Sequence, residues 1–126
     1  MKAEDFKKLV RARLDDCQDV LTNKGEEYSR GGDRLHNFKT AARIENSTPA
    51  QALWGMYLKH LVSVKDMISD LVAGHPIPKH RLTEKIGDSI NYHLLLEGII
   101  EDHNQAFWEK RMKPAKVKKT PGRKKK

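Results

Sequence analysis

Between Thr48 and Gly74 the chain has room for one kind of structure. Thr48 stands where a helix N-cap belongs, and Pro49 follows at the first helical position, where its missing N–H is no loss. No further proline interrupts the chain before "GHPIP" at residues 74–78, which leaves about 25 residues of continuous helix. Leu53, Tyr57, His60 or Leu61, Val64, Ile68 and Leu71 keep a seven-residue hydrophobic rhythm along it, the mark of a long bundle helix.

The flanking segments read the same way. Over about residues 3–23, Phe6, Leu9, Val10, Leu14, Cys17, Val20 and Leu21 recur at amphipathic-helix spacing, with Lys and Asp on the other faces. "NKGEEYSRGGDRLHNF" then breaks the pattern at Gly25 and at Gly31-Gly32, predicting a loop rich in polar side chains. A short helix is expected over about residues 34–45, with Leu35, Phe38, Ala42 and Ile44 as its apolar contributors. A last helix should start near residue 79 or 80 and run through 101, or on to 108. Trp54, Met56, Tyr57 and Met67 fall at helical spacing and are expected in the core. No segment alternates with period two, so the fold class is all-α: a four-helix bundle-like core, residues 1–109, with a disordered basic C-terminal tail, residues 110–126.

Charge separates these two parts. The chain carries a formal +8, but residues 110–126 hold ten Lys or Arg and no acid, while residues 1–109 hold 15 basic against 17 acidic side chains. A segment with so little to bury cannot offset the entropy of ordering, and its cations suit a phosphate backbone. Lys116, Lys118, Lys119, Arg123, Lys124, Lys125 and Lys126 are therefore candidate nucleic-acid contacts; a solubilising or partner-tethering tail is the plainer reading. At 126 residues one core is expected, and 37% apolar residues is lean for a compact monomer, which points to a homo-oligomer. No uninterrupted apolar run suggests a signal or a membrane anchor, so a cytoplasmic protein without membrane contact is expected. The lone Cys17 can form no internal disulfide. There is no internal repeat, no glycine-rich phosphate loop, and no G-x-S-x-G or H-E-x-x-H.

The chemistry-bearing pattern lies in "EKIGDSINYHLLLEGII". Glu84, Asp88 and Asn91 are spaced i, i+4, i+7 and so share one helix stripe, flanked by Ile86, Ile90, Leu94 and Leu96. Carboxylates on so apolar a helix need a partner, because an unpaired buried charge is costly. Mg²⁺ would satisfy them, since it takes carboxylate and amide oxygens and bridges to phosphates. Surface ion pairs to Lys85 or Arg81 would satisfy them too. Lys59, Ser63, Asp66 and Asp70 form a comparable polar line on the long helix. His60 falls on its apolar seam, as a hydrogen-bonded core residue or a ligand contact. The loop adds Glu26, Glu27, Asp33, Arg34, Asn37 and Lys39.

"KGEEYS", "DRLHNF", "LKHLVSVKD" and "EKIGDSINYHLLLE" together resemble MazG-like proteins of the all-α nucleoside triphosphate pyrophosphohydrolase superfamily, small phage-type members above all. The resemblance spans roughly residues 20–100 and implies a helical bundle, commonly a dimer or tetramer. It also implies that clustered acids hold Mg²⁺ and that a nucleotide is cleaved between its α and β phosphates. A bacterial host cytoplasm would be the setting if the chain is phage-encoded. By the resemblance, Asp88 matches the aspartate ending the family's E-x-x-D element and is a metal ligand. Lys85 stands where that element's glutamate is expected, and Glu84 lies one residue before it. The preceding helix lacks the usual E-x-x-E; "KHLVSVKD" offers His60 and Asp66, so Glu26 and Glu27 of the loop are candidates to complete the metal shell. Asn91 and Tyr92 are placed near the nucleotide, with Arg34, Asn37 and His60 as further substrate contacts. Asp66 is a metal or base candidate, and Lys59 and Arg34 are the expected phosphate contacts. A non-catalytic protein that binds nucleic acid or a partner through its tail is the alternative.

Overall fold

A computed structural model describes residues 1–117 of the chain. The fold is all-α, with four α-helices among the described residues: α1 (Ala3–Gln18), α2 (His36–Glu45), α3 (Pro49–Val72) and α4 (Lys79–Val117). Among the described residues there is no strand; one isolated bridge pairs Arg30 with Asp33. α3 packs on α4 and α2, and α1 lies along α4.

The ends of α3 are set by residues next to them in the chain. Thr48 Oγ1 accepts from the Gln51 N–H at 3.2 Å while Gln51 Oε1 accepts from the Thr48 N–H at 2.9 Å, a reciprocal box that satisfies two otherwise orphaned donors. At the other end Gly74 takes φ +89°, a left-handed conformation open to it for lack of a Cβ. There the His75 N–H reaches the Asp70 carbonyl at 2.9 Å and the Gly74 N–H reaches Leu71 at 3.0 Å. α2 stops by the same device: Asn46 takes φ +55° and the Ser47 N–H donates to the Ala42 carbonyl at 2.8 Å.

The core is small. Phe38, Leu53, Tyr57 and Ile99 form its centre, with Leu35, Ala50, Tyr92, Leu95 and Leu96 packed against it. Among the described residues Leu53 alone is fully enclosed. The α3–α4 seam is partly polar: His60 Nε2 donates to the Lys85 carbonyl at 2.8 Å, and Tyr57 stacks on Tyr92 with ring centroids 5.0 Å apart. Lys39 ties the loop and α2 to α4 by pairing with Asp33 at 2.8 Å and Asp102 at 3.2 Å.

Several expectations need correction. The first α-helix ends at Gln18, and residues Asp19–Asn23 continue as a π turn. Thr22 Oγ1 donates to the Gln18 carbonyl at 2.6 Å there, a side-chain bond of the sort that loosens the regular ladder. Trp54 and Met56 are not core but 49% and 39% exposed, and Ile44 is 80% exposed. The apolar row of α1 (Phe6, Leu9, Val10 and Leu14) is open as well; of that helix only Cys17 is buried. One residue along a helix is about 100° around it, so Leu53 faces the core and Trp54 does not. α4 extends to Val117, past residue 108, so Lys116 falls in its last turn. The tail candidates Lys118, Lys119, Arg123, Lys124, Lys125 and Lys126 lie outside the described residues. Among the described residues no helix is long and apolar enough to cross a membrane.

Candidate functional site

The loop after α1 exists in part to place Arg34. A 3-10 turn (Lys24–Tyr28) follows the π turn, and Gly25 within it is buried. A Cβ at that position would collide with the Arg34 guanidinium. Arg34 Nε donates to the Leu21 carbonyl at 3.3 Å. Asp33 shapes the next turn: Oδ1 accepts from the Leu35 N–H at 2.9 Å and Oδ2 from Lys39 Nζ at 2.8 Å. The bond to Lys39, then that to the Leu35 amide, holds the Asp33 carboxyl below the usual range, while the Asp33 bond raises Lys39. Both residues therefore serve the loop's shape.

From α4, Asp88, Asn91 and Tyr92 reach the same place. A cavity of about 310 Å³ is lined by Arg34, Asn37, Asp88, Asn91 and Tyr92, with Phe38, Met56, Leu95, Val20 and Leu21 as its apolar walls. Asp88 and Asn91 also line a neighbouring cavity of about 300 Å³ under α1, together with Arg13, Asp16 and Glu84. On the other side, Tyr92 and Met56 border a third space of about 570 Å³ with Lys59, His60, Ser63, Lys85 and Glu45. A row of three cavities thus runs from acidic side chains under α1 to basic ones along α3.

Burial, first of all, raises the Asp88 carboxyl above its ordinary range; Glu84 adds to the effect, while His60 and Lys85 oppose it. Burial also raises the Tyr92 phenol, with Asp88 contributing. Asn91 is 8% exposed, and its Oδ1 has no donor among the described residues. A buried acceptor left without a partner costs on the order of 1–3 kcal/mol, so a donor or a cation at this point has a binding advantage.

The sequence-derived residues divide accordingly. Arg34, Asn37, Asp88, Asn91 and Tyr92 meet in one cavity, Glu84 adjoins it, and Lys59 and His60 line the space beyond Tyr92. His60 is buried, and its Nε2 is engaged by the Lys85 carbonyl and by Ser89 Oγ at 3.0 Å. Glu26 and Glu27 stand exposed on the 3-10 turn, and Asp66 is exposed on α3; none of the three lines these cavities. Among the described residues no three His, Cys, Asp or Glu side chains converge as a metal cage. Among the described residues Glu84 makes no ion pair with Lys85 or Arg81, and Arg81 pairs with Asp70 at 2.8 Å.

Sequence reasoning missed Arg13 and Asp16, which are joined at 2.7 Å and reach the site from α1. On a solvated helix face nothing distinguished them. It also missed Lys85 as a wall of the third cavity, having treated it only as an ion-pair partner or a departure from a motif. The apolar walls Phe38, Met56 and Leu95 had the signature of core residues. Gly25 carried a signal, since a glycine beside a cluster of charged residues marks a close approach. Compared with known proteins, the chain matches no family model, no curated protein and no solved structure.

Proposed function

We propose that the chain is a Mg²⁺-dependent nucleotide pyrophosphohydrolase that binds a nucleoside triphosphate in this row of cavities. One observation carries the reading: Arg34 and Asn37 from the loop and α2 share a single cavity with Asp88, Asn91 and Tyr92 from α4. The apolar walls and the Tyr92 ring suit a base or the face of a sugar, and the amides of Asn37 and Asn91 can bond its edges. The likeness of "KGEEYS" and "EKIGDSINY" to MazG-like proteins supports the same choice.

The donor set fits Mg²⁺ of a particular kind. Mg²⁺ is commonly held by one or two carboxylates, with waters and substrate phosphates completing its shell. Asp88, Glu84 and the orphaned Asn91 Oδ1 offer that much. The ion would supply neutralising charge for the phosphates. Arg34, Lys59 and Lys85 supply cations for the phosphate chain, and a carboxylate of the Glu84–Asp88 pair orients a water and takes its proton. Water then bonds to the α-phosphorus, the bond to the α–β bridging oxygen breaks, and pyrophosphate leaves.

The test is a titration of the purified full chain with Mg²⁺, alone and with a panel of nucleoside triphosphates, following thermal stability and pyrophosphate release together. Stabilisation by metal plus nucleotide, with release of pyrophosphate, is the expected result. If neither ligand changes stability and no pyrophosphate appears, the reading fails. The concentration of ten Lys and Arg in residues 110–126 favours a second reading, nucleic-acid binding through the tail.

A further inference from the structure

α1 is pinned to α4 beside the Glu84–Asp88 stripe, and it carries a cation there. Of its residues only Cys17 is buried, with Sγ donating to the Gly87 carbonyl at 3.7 Å. Arg13 lies one turn earlier on the same helix face. Its stem crosses the same glycine, for a Cβ on Gly87 would meet Arg13 Cδ at 3.8 Å. The Arg13 side chain is 14% exposed, and arginine is seldom buried to that degree without an anion to hold.

Its anion within the chain is a partial one. Arg13 Nη1 donates to Asp16 Oδ2 at 2.7 Å, among the described residues the one hydrogen bond of a group with five N–H donors. Asp16 is 69% exposed, so this bond ties the guanidinium from the solvent side. Arg13 also borders the cavity of about 300 Å³ whose other walls include Glu84, Asp88 and Asn91. Among the described residues it pairs with neither of those carboxylates. The buried Asn91 Oδ1 in the same cavity has no donor. One small space thus has a cation on one wall, two acids on another, and an amide oxygen without a partner.

Opposite charges that line one cavity without joining leave room for a ligand carrying both signs. A free anion would meet Glu84 and Asp88, and a bare metal ion would leave Arg13 unanswered. A metal–phosphate unit answers all of them: carboxylate and amide oxygens hold the ion, the ion holds phosphate oxygens, and the guanidinium takes the phosphate's outer oxygens. We propose that this cavity receives the β- and γ-phosphates of a nucleoside triphosphate as their Mg²⁺ complex, with Arg13 forked onto the terminal phosphate; the nature of the anion rests on the pyrophosphohydrolase reading. Asp16 is the positioning residue that aims the fork. Lys59 and Lys85, on the side of Tyr92 away from α1, are left for the α-phosphate. Arg13 thereby selects by phosphate number, because a nucleoside diphosphate has no terminal group to reach it.

Calorimetric titration of the purified full chain with inorganic pyrophosphate in excess Mg²⁺ tests this without requiring turnover. The wild type should bind, and Arg13→Gln should bind about 30- to 100-fold more weakly, as for loss of charge-assisted hydrogen bonds. Arg11→Gln removes the same charge from the exposed side of α1 and should stay within about 3-fold of wild type. In turnover, the ratio of kcat/KM for a nucleoside triphosphate to that for the diphosphate should fall at least ~10-fold in Arg13→Gln, a change that a merely structural role would not produce. Equal affinities of Arg13→Gln and Arg11→Gln overturn the proposal, as does a wild type that binds no pyrophosphate at about 10 mM. Should Arg13→Gln unfold, Arg13→Lys decides, since it keeps stem and charge but not the fork: affinity below that of Arg11→Gln supports the assignment, and equal affinity refutes it. A chain that binds Mg²⁺ and pyrophosphate through Arg13 yet cleaves no triphosphate keeps this assignment and ends the hydrolase reading. One that cleaves triphosphates equally well as Arg13→Gln keeps the hydrolase reading and ends this assignment.

Discussion

Gly25 lies against the guanidinium of Arg34, so close that a Cβ on the glycine would clash with Nε, while that Nε donates to the Leu21 carbonyl at 3.3 Å. The glycine's φ is not left-handed, so space rather than backbone conformation requires it. Arg34 is long and can swing away, which makes the clash a matter of position more than of stability. Gly25→Ala should therefore leave the thermal midpoint within a few degrees of wild type, while nucleotide affinity falls by roughly 10-fold or more, as for loss of a charge-assisted contact. Calorimetric titration beside a melting curve reads both. A large loss of stability with affinity kept would mean that the glycine serves the fold.

Asp88 is buried enough for its carboxyl to be held above the usual range, and among the described residues it has no ion-pair partner. In metal-free buffer near pH 7, Asp88→Asn should be at least as stable as wild type, because the substitution removes a charge that burial disfavours. The same variant should lose pyrophosphate release by at least ~100-fold and lose stabilisation by Mg²⁺ with nucleotide. Destabilisation by more than about 1 kcal/mol in urea would instead make Asp88 a structural acid.

His60 should behave as a wall and a strut at once. It bonds the Lys85 carbonyl, stacks on Tyr57 at 6.3 Å and borders the third cavity. His60→Ala should cost about 2–4 kcal/mol, from the void and the lost hydrogen bond together. Urea unfolding with an unchanged m-value measures it; a cost within about 0.5 kcal/mol would remove His60 from the core.

The Asp33–Lys39 bridge gives the loop its own pH window. Asp33, with its folded pKa lowered, contributes stability that is present above the unfolded carboxylate range and is lost as pH falls through the folded value. Lys39, with its folded pKa raised, contributes stability that is present below the unfolded lysine value and is lost as pH rises through the folded one. Since both groups are partly exposed, Asp33→Asn should destabilise by only a few tenths to about 1 kcal/mol near neutrality, and the difference should vanish as pH falls below the lowered pKa of Asp33. Melting curves across that range check the sign.

Deleting residues 112–126 should leave nucleotide hydrolysis unchanged while removing salt-sensitive retention on DNA. Each phosphate contact contributes about 0.9 to the slope of log affinity against log salt, so the slope itself counts the cations engaged. DNA binding that survives the deletion would end the tail reading.

The helix boundaries were largely legible because their causes are local. Thr48, Pro49 and Gln51 start α3, and Gly74 ends it, through bonds between residues a few positions apart. The stripe of Glu84, Asp88 and Asn91 was readable for the same reason: helical spacing puts them in line whatever surrounds them. The loop and α2 residues Arg34 and Asn37 were nameable only as polar side chains near a glycine-rich turn.

By itself, then, the sequence determined an all-α chain, the four helices, most of their ends and the polar stripe of α4, all consequences of short-range periodicity and capping. Tertiary structure alone decided that Arg34 and Asn37 meet Asp88 in one cavity while Glu26, Glu27 and Asp66 stay outside it. It also decided that Leu53 is enclosed while Trp54, its equally apolar neighbour, is open. Periodicity fixes which residues share a face but not what that face meets; that depends on how neighbouring helices cross, which no short stretch of chain encodes.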